Sequence, residues 1–471
     1  MRHAGSLVSA SLVAIGFVLL GPGASTGCGS SRTSGFDDGT MDGGGLLDEA
    51  GNPTFGDAGG GPKPGCKGLQ CQQKDCGAGL TTTLSGTAYA PNGTLALYNV
   101  IVYVPNAPLD PIPNGATCDK CGAQVSGSPV VTTLSDATGK FSLKNVPVGK
   151  NIPLVFQVGK WRRQITVPNV VECMETKLTD PQMTRLPKNQ SEGSIPKIAI
   201  TTGGCDPLGC ILPKIGVEAS EYGFAGDTDA KRVHLYTGSA NASPPVPSPN
   251  NAPPAQALWS DAAKMKAYDI LLLNCECDTH LETKPAPALA AMETYANNGG
   301  RVFGSHYHYA WAQFGSAAFQ STADWQGDGM AGGSGAPYKI NTTFPKGAAL
   351  ADWLTAQGVT PHGEMPLNSP MDDVGKVTAM KTTGWVTDGM GISTKYLSFN
   401  TPVAAAPADQ CGKVVHGDMH ISASGGVIDD TFPAGCSKTL SAQEKALAFL
   451  FFDLSSCIQP DGQPPMPPPV K

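Results

Sequence analysis

Two short segments carry the side chains best suited to chemistry. Asn274-Cys275-Glu276-Cys277-Asp278 supplies thiols and carboxylates, and His306-Tyr307-His308 supplies two imidazoles. In extended backbone, residues two apart point to the same side, so His306 and His308 could reach one metal ion. A second pair, His416 and His420, brackets Asp418. Three or four imidazoles with Asp418, Asp278 or Glu276 nearby would suit zinc or another divalent ion; otherwise the same groups would line a polar cleft through hydrogen bonds. No cofactor is fixed by a motif, since neither HYH nor HGDMH matches the zinc-hydrolase string H-E-x-x-H. Cys275 or Cys277 would act as a nucleophile only with a nearby base and partial exposure, and in an oxidising compartment both are expected to bridge to Cys205 or Cys210. Tyr307, Tyr309, Trp311 and Phe314 offer either a sugar-stacking platform or the packed start of a helix under a sheet.

These segments need strands to hold them. Residues 270–273 are an unbroken apolar run, as in a strand covered on both faces, and residues 288–297, entered through Pro287, show helical spacing that stops at Asn298-Gly299-Gly300. A second strand follows over 301–304. Strand, crossover helix and strand make a βαβ unit, and open parallel sheets bind ligands beyond the carboxyl ends of their strands. Both chemical segments lie there.

The same reading places parallel strands at 197–201 and 233–236, a Pro-rich loop at 243–254, helices at 255–266 and 348–357, strands at 396–400 and 413–415, and a closing helix at 443–454. Residues 195–457 are therefore an α/β domain with a mainly parallel sheet, followed by a Pro-rich tail at 458–471. Residues 81–180 read differently. Short alternating runs separated by Pro91-Asn92-Gly93 and Asp136-Ala137-Thr138-Gly139 predict a small antiparallel β-sandwich. A polar connector, 181–195, joins the two.

The chain has 471 residues, a formal net charge of -7 and 15% charged residues. With no basic run and no aromatic-basic interleaving, nucleic acid is not an expected partner. Arg2 and His3 precede an apolar run at 7–20 that is short for a membrane span and has the flanks of a signal peptide. Small residues then lead to Cys28, so residues 1–28 resemble a bacterial signal peptide with a lipobox, although Ser25 stands where Leu or Val is usual. That resemblance implies a lipid anchor on Cys28 and, with Gly29-Ser30 after it, the outer membrane; the alternative is plain cleavage near Ala24 to Thr26. Residues 29–80 read as a Gly-rich disordered tether and a Cys-rich collar.

Fourteen cysteines in loops rich in Gly, Pro and Asp point to an oxidising compartment and several disulfides. Lipidation of Cys28 would leave an odd number. Cys66, Cys71 and Cys76 are expected to be stapled by disulfides, and Cys118-x2-Cys121 to form a local bridge or one to Cys173.

The order LSGTAYAPNG, LYNVIVYVPN and TLSDATGKFSLKNVPVGKNIPLVFQVGKW resembles the carboxypeptidase regulatory-like domain of transthyretin-like fold, which implies a non-catalytic spacer or adhesive module. The insertion at 106–128 departs from that family. The layout of 195–457 is similar to the class I glutamine amidotransferase-like fold and, within it, the ThuA-like branch, on the strength of YDILLLN, AMETYANNGGRVFGSH, GKVVHGDMH and the final helix. In the amidotransferases a nucleophilic Cys occupies the tight turn after the GG-strand. Here that turn reads Gly304-Ser305-His306, so the resemblance implies no thioester chemistry and carries over His306 alone. It also implies that the late strand lies close to this one, letting His416 and His420 converge on His306. The expectation is an exported cell-envelope lipoprotein with a β-sandwich spacer and an amidotransferase-like domain that binds a small molecule or glycan without established catalysis. His306, Tyr307, His308, Trp311, Glu276 and Asp278 are the binding candidates. The alternative is a metal-dependent hydrolase acting on envelope or extracellular carbohydrate through His306, His308, His416 and His420.

Overall fold

The computed structural model describes residues 65–77, 79–225, 230–239, 252–327, 336–420, 436 and 439–470. The signal segment, Cys28 and most of the tether lie outside them. Seven strands come first: β1 (Thr83–Thr87), β2 (Ile101–Val104), β3 (Val131–Leu134), β4 (Lys140–Lys144), β5 (Gly149–Val158), β6 (Trp161–Val170) and β7 (Glu175–Leu178). They make two sheets, ordered β4-β1-β7 and β3-β2-β5-β6. β4 alternates strictly, with Phe141 and Leu143 buried between exposed neighbours, as a strand with one face on a core must. Asp136 Oδ1 forms the preceding turn by accepting from the N–H groups of Thr138 and Lys140. One feature departs from the antiparallel expectation: β1 and β7 pair in parallel.

Twelve strands follow: β8 (Ile198–Thr201), β9 (Tyr222–Phe224), β10 (Val233–Tyr236), β11 (Ile270–Leu273), β12 (Arg301–Ser305), β13 (Ala323–Trp325), β14 (Tyr338–Ile340), β15 (Glu364–Met365), β16 (Val374–Val377), β17 (Thr383–Thr387), β18 (Thr394–Thr401) and β19 (Gly412–Gly417). Ten form one sheet in the order β15-β14-β17-β18-β19-β12-β11-β8-β10-β9, while β13 and β16 make a separate ribbon. The sheet is mixed. From β19 to β9 every adjacent pair is parallel, and from β15 to β19 every pair is antiparallel. The mainly parallel expectation thus holds for the half that carries the predicted βαβ unit, in which β11 and β12 pair from Ile270↔Arg301 onward around the helix Ala286–Asn297.

The final helix, Ala442–Ser455, is buried along nearly its whole length, which for a helix means apolar neighbours all round. It lies between the two halves. Trp161 of the sandwich meets Phe451 edge-on and Phe452 at a tilt, Tyr98 stacks on Phe449 at 5.6 Å, and Trp353 donates its Nε1–H to the Ala96 carbonyl at 2.7 Å. Sandwich and sheet therefore share one apolar core rather than two joined by a linker. A capping box starts the helix: Ser441 Oγ accepts from the Glu444 N–H, and a Glu444 carboxylate oxygen accepts from the Ser441 N–H. Beside it, Lys346 and Lys413 face Asp453 and Asp461 at 2.6–3.4 Å, all four buried and balanced in charge.

Six disulfides close the fold. Cys66–Cys71 and Cys76–Cys173 staple the collar to itself and to the sandwich. Cys118 and Cys121 do not bridge locally or to Cys173; they reach Cys411 and Cys457, because the 106–128 insertion lies against the α/β half. The tail is not loose either. The Pro468 carbonyl accepts from Thr132 Oγ1 at 2.7 Å, and Asp461 is buried against Lys413. This many disulfides marks an oxidising, extracytoplasmic environment. Among the described residues no helix is long and apolar enough to cross a membrane.

Candidate functional site

β8, β11, β12 and β19 end side by side, and the chain leaving each strand contributes to one cluster. After β12 the backbone turns abruptly: His306 sits at φ 41°, in the left-handed region that costs a residue with a Cβ. The turn throws its imidazole back over the strand ends. His306 Nδ1 lies 2.9 Å from His420 Nε2 and 3.3 Å from Cys275 Sγ, and that sulfur is 3.7 Å from His420 Nε2. On the other side of the ring, His306 Nε2 is 3.1 Å from Asp373 Oδ2. Asp373 is held in turn by the pairing of its loop with the chain after β19, where the N–H groups of Met371 and His420 bond to the Asp418 and Ser369 carbonyls. Asp418 hydrogen-bonds Asp373 through its side chain. Burial, with the Asp373 charge, pushes the Asp418 carboxyl well above its usual range.

Burial also pushes the Cys275 thiol up to about 12 and the His420 imidazole down to about 4, so both are neutral at pH 7. Backbone N–H groups of Cys277 and Tyr307 lie at the Cys275 sulfur. Gly203, after β8, comes so close to this loop that a Cβ would stand 2.1 Å from the Cys275 carbonyl oxygen, which is why that loop can bring Cys205 in. Cys205 pairs with Cys277, as one of the two sequence-based options had it, and Cys275 keeps its thiol instead of forming the second expected bridge; Cys210 pairs with Cys436. The Cys205 sulfur lies within 4.8 Å of both Cys275 Sγ and a His420 ring nitrogen.

Of the residues singled out from the sequence, the fold brings together His306, Tyr307 and His420. Tyr307 is half-buried and lies across the His306 ring at 4.0 Å between centroids. His308 goes elsewhere: its Nε2–H donates to the Asn274 carbonyl at 2.7 Å, its Nδ1 accepts from Trp311 Nε1 at 3.0 Å, and burial pushes it down to about 4. Both ring nitrogens are committed, so it is a buried strut rather than a ligand. Trp311 is packed edge-on to Trp259 at 5.3 Å, as the start of a buried helix. Glu276 is sealed with Lys284 at 2.7 Å and accepts from Ser239; burial opposes its charge, but the His308 ring, the Lys284 ammonium and the Ser239 N–H together outweigh it and keep the carboxyl below the usual range. Asp278 is exposed and caps its own turn at Thr279. His416 faces a cavity of about 20 Å³ beside Trp325, is pushed down to about 3 by burial, and its Nε2 finds no hydrogen-bond partner. The four histidines therefore form no single site. The structure adds Cys275 and Asp373, which the sequence reading did not place in a site with these imidazoles. A larger cleft, of about 360 Å³ between the 106–128 insertion and the tail, shares no residue with the cluster.

Two kinds of chemistry fit Cys275, His306, His420 and Asp373. Thiol, imidazole and carboxylate in line are the parts of a nucleophilic triad, which needs an accessible thiolate; the Cys275 side chain is 0% exposed and its thiol is held protonated. Three donor atoms turned toward one point are the parts of a ligand-binding centre.

No known family's sequence profile matches the chain. No curated protein matches it either. Among solved structures, a cytoplasmic protein of Salmonella typhimurium is similar at 11% identity and TM-score 0.30, over 55% of this chain and 99% of that one. A type II cohesin–X-module–dockerin complex from Acetivibrio cellulolyticus is similar at 13% identity and TM-score 0.16, over 32% of this chain and 88% of that one.

Proposed function

We propose that the chain is an exported cell-envelope protein, anchored through lipid on Cys28, whose α/β half binds a small molecule or glycan without turning it over. The single observation that carries this reading is the gathering of His306, Tyr307 and His420 at the carboxyl edge of the parallel strands, with an imidazole and an aromatic ring half-open to solvent. The absence of an exposed thiolate at Cys275 speaks against turnover. The turn after β12, strained at His306, sits where the amidotransferase-like resemblance would put it, and the two-sheet sandwich supports the transthyretin-like one. With the shared core, the sandwich acts as a rigid base for the α/β half.

Thermal melting of the purified chain against glucose, trehalose, N-acetylglucosamine and their oligomers tests the binding reading. A rise in melting temperature that is lost in Tyr307→Ala and His420→Ala supports it. No rise with any of these, or a rise that survives both changes, refutes it. Mass spectrometry of the mature N-terminus tests the anchor: a diacylglyceryl adduct on Cys28 is expected, and an unmodified Cys28 or a start elsewhere refutes it.

A further inference from the structure

The donor geometry points to a transition-metal site formed by Cys275, His306 and His420, taking one borderline or soft divalent ion of the zinc class. This deepens the binding reading above and rests on its choice of site. The three donor atoms are separated by 2.9, 3.3 and 3.7 Å. Zinc bonds of about 2.0–2.1 Å to nitrogen and about 2.3 Å to sulfur, arranged tetrahedrally, put such donors roughly 3.3–3.6 Å apart. The triangle is thus within a few tenths of an ångström of a metal-bound one.

At most two of the triangle's three contacts can be hydrogen bonds at once. With its proton on Nε2, 3.1 Å from Asp373 Oδ2, His306 offers a single lone pair at Nδ1, and both the His420 ring and the Cys275 thiol crowd onto it. Only one of them can donate there. A cation at the centre would use all three lone pairs at once. The surroundings are those a metal ligand requires: the far nitrogen of His306 meets a buried carboxylate, which fixes its tautomer and strengthens it as a donor, and backbone N–H groups lie at the sulfur to support a thiolate. The two imidazoles and one thiolate select zinc, or copper(I), over magnesium and calcium. Cys205 stays outside this set while its sulfur is bonded to Cys277. The fourth position faces the half-open side, by His420, and is where an outside ligand would enter.

The test uses the full chain purified from the envelope fraction, stripped with chelator and reloaded with zinc or cobalt(II). About one ion per chain by elemental analysis is expected, and a near-ultraviolet thiolate-to-cobalt band that disappears in Cys275→Ser. His420→Ala should lose the ion, and His416→Ala should keep it. Because buried substitutions can unfold the chain, circular dichroism accompanies each variant, and the cobalt band of the parent alone suffices to show or deny thiolate ligation. A folded parent that binds no ion, or an ion retained equally by Cys275→Ser and His420→Ala, overturns the site. A sugar-dependent rise in melting temperature in a folded parent that binds no ion would overturn the metal inference and keep the binding reading. Stoichiometric metal without any sugar response would do the reverse.

Discussion

His306 is used at both ends: its Nε2 stands 3.1 Å from Asp373 Oδ2 while its Nδ1 faces His420 at 2.9 Å. Asp373 has a side-chain hydrogen-bond partner in Asp418, whose carboxyl is pushed by burial well above its usual range, so the ring rests on a pair of buried carboxyls. The ring's orientation is therefore set from behind, by residues that touch no ligand.

Asp373→Asn tests that dependence. An amide keeps the shape but no longer favours one imidazole tautomer, and loss of such support typically weakens metal affinity about 10–100-fold. Competition against a chromophoric chelator should show this loss with the fold intact. Unchanged affinity would mean that Asp373 is merely buried structure.

Cys275 should be silent toward alkylation in the native chain. Its side chain is 0% exposed and its thiol is pushed up to about 12, so iodoacetamide at neutral pH finds neither access nor thiolate. In denaturant without reductant, peptide mapping should find Cys275 labelled. Rapid labelling of native protein would restore the nucleophile reading.

The cluster of Lys346, Lys413, Asp453 and Asp461 should make the fold acid-sensitive. Burial works against both carboxylates, yet the two ammonium groups outweigh it and hold them below their usual range. A lowered folded pKa gives stability that is present above the unfolded value, about 3.9, and lost as pH falls below it. Denaturant unfolding at pH 7 and at pH 3 should show the drop, and Asp461→Ala should cost about 3–5 kcal/mol at pH 7 while flattening the acid limb. A parent equally stable at both values contradicts this.

Gly159 joins β5 to β6 at φ 51°, where an added Cβ would stand 1.8 Å from the Ser455 carbonyl oxygen. Gly159→Ala should cost roughly 2–5 kcal/mol through clash and strain together. Gly358, at φ 81° with open space around its Cβ direction, serves as the control, and Gly358→Ala should cost only about 1–2 kcal/mol, from the left-handed backbone alone. Equal effects would show that the junction yields.

The sequence made the parallel half legible because its strands are unbroken apolar runs bounded by turn residues; β11 and β10 fall on the residues expected, and β12 is longer by one. β14 to β17 were not legible. They are short, rich in Thr, Lys and Gly, and depend on pairing with other strands: β17 pairs with the fully buried β18, β14 with β15 and β17, and β16 with β13. The histidines were visible as residue types, but their fates depend on single backbone angles: His306 turns inward at φ 41°, and His308, two residues later, is tied to Asn274 and Trp311. Asp373 stands in MDDVG, which has no pattern to mark it. Cys275 was grouped with Cys277 by spacing, although only Cys277 bonds to Cys205 and the Cys275 thiol stays free beside that bridge.

Cys118 and Cys121 find their partners 293 and 336 residues further on, at Cys411 and Cys457. A chain exported N-terminus first shows these two thiols, beside the Cys76–Cys173 pair, long before Cys411 and Cys457 exist. Any oxidant acting early would join the wrong pairs, and only exchange through mixed disulfides could undo them. Maturation of this protein should therefore depend on disulfide isomerisation in its compartment, and not on oxidising power alone.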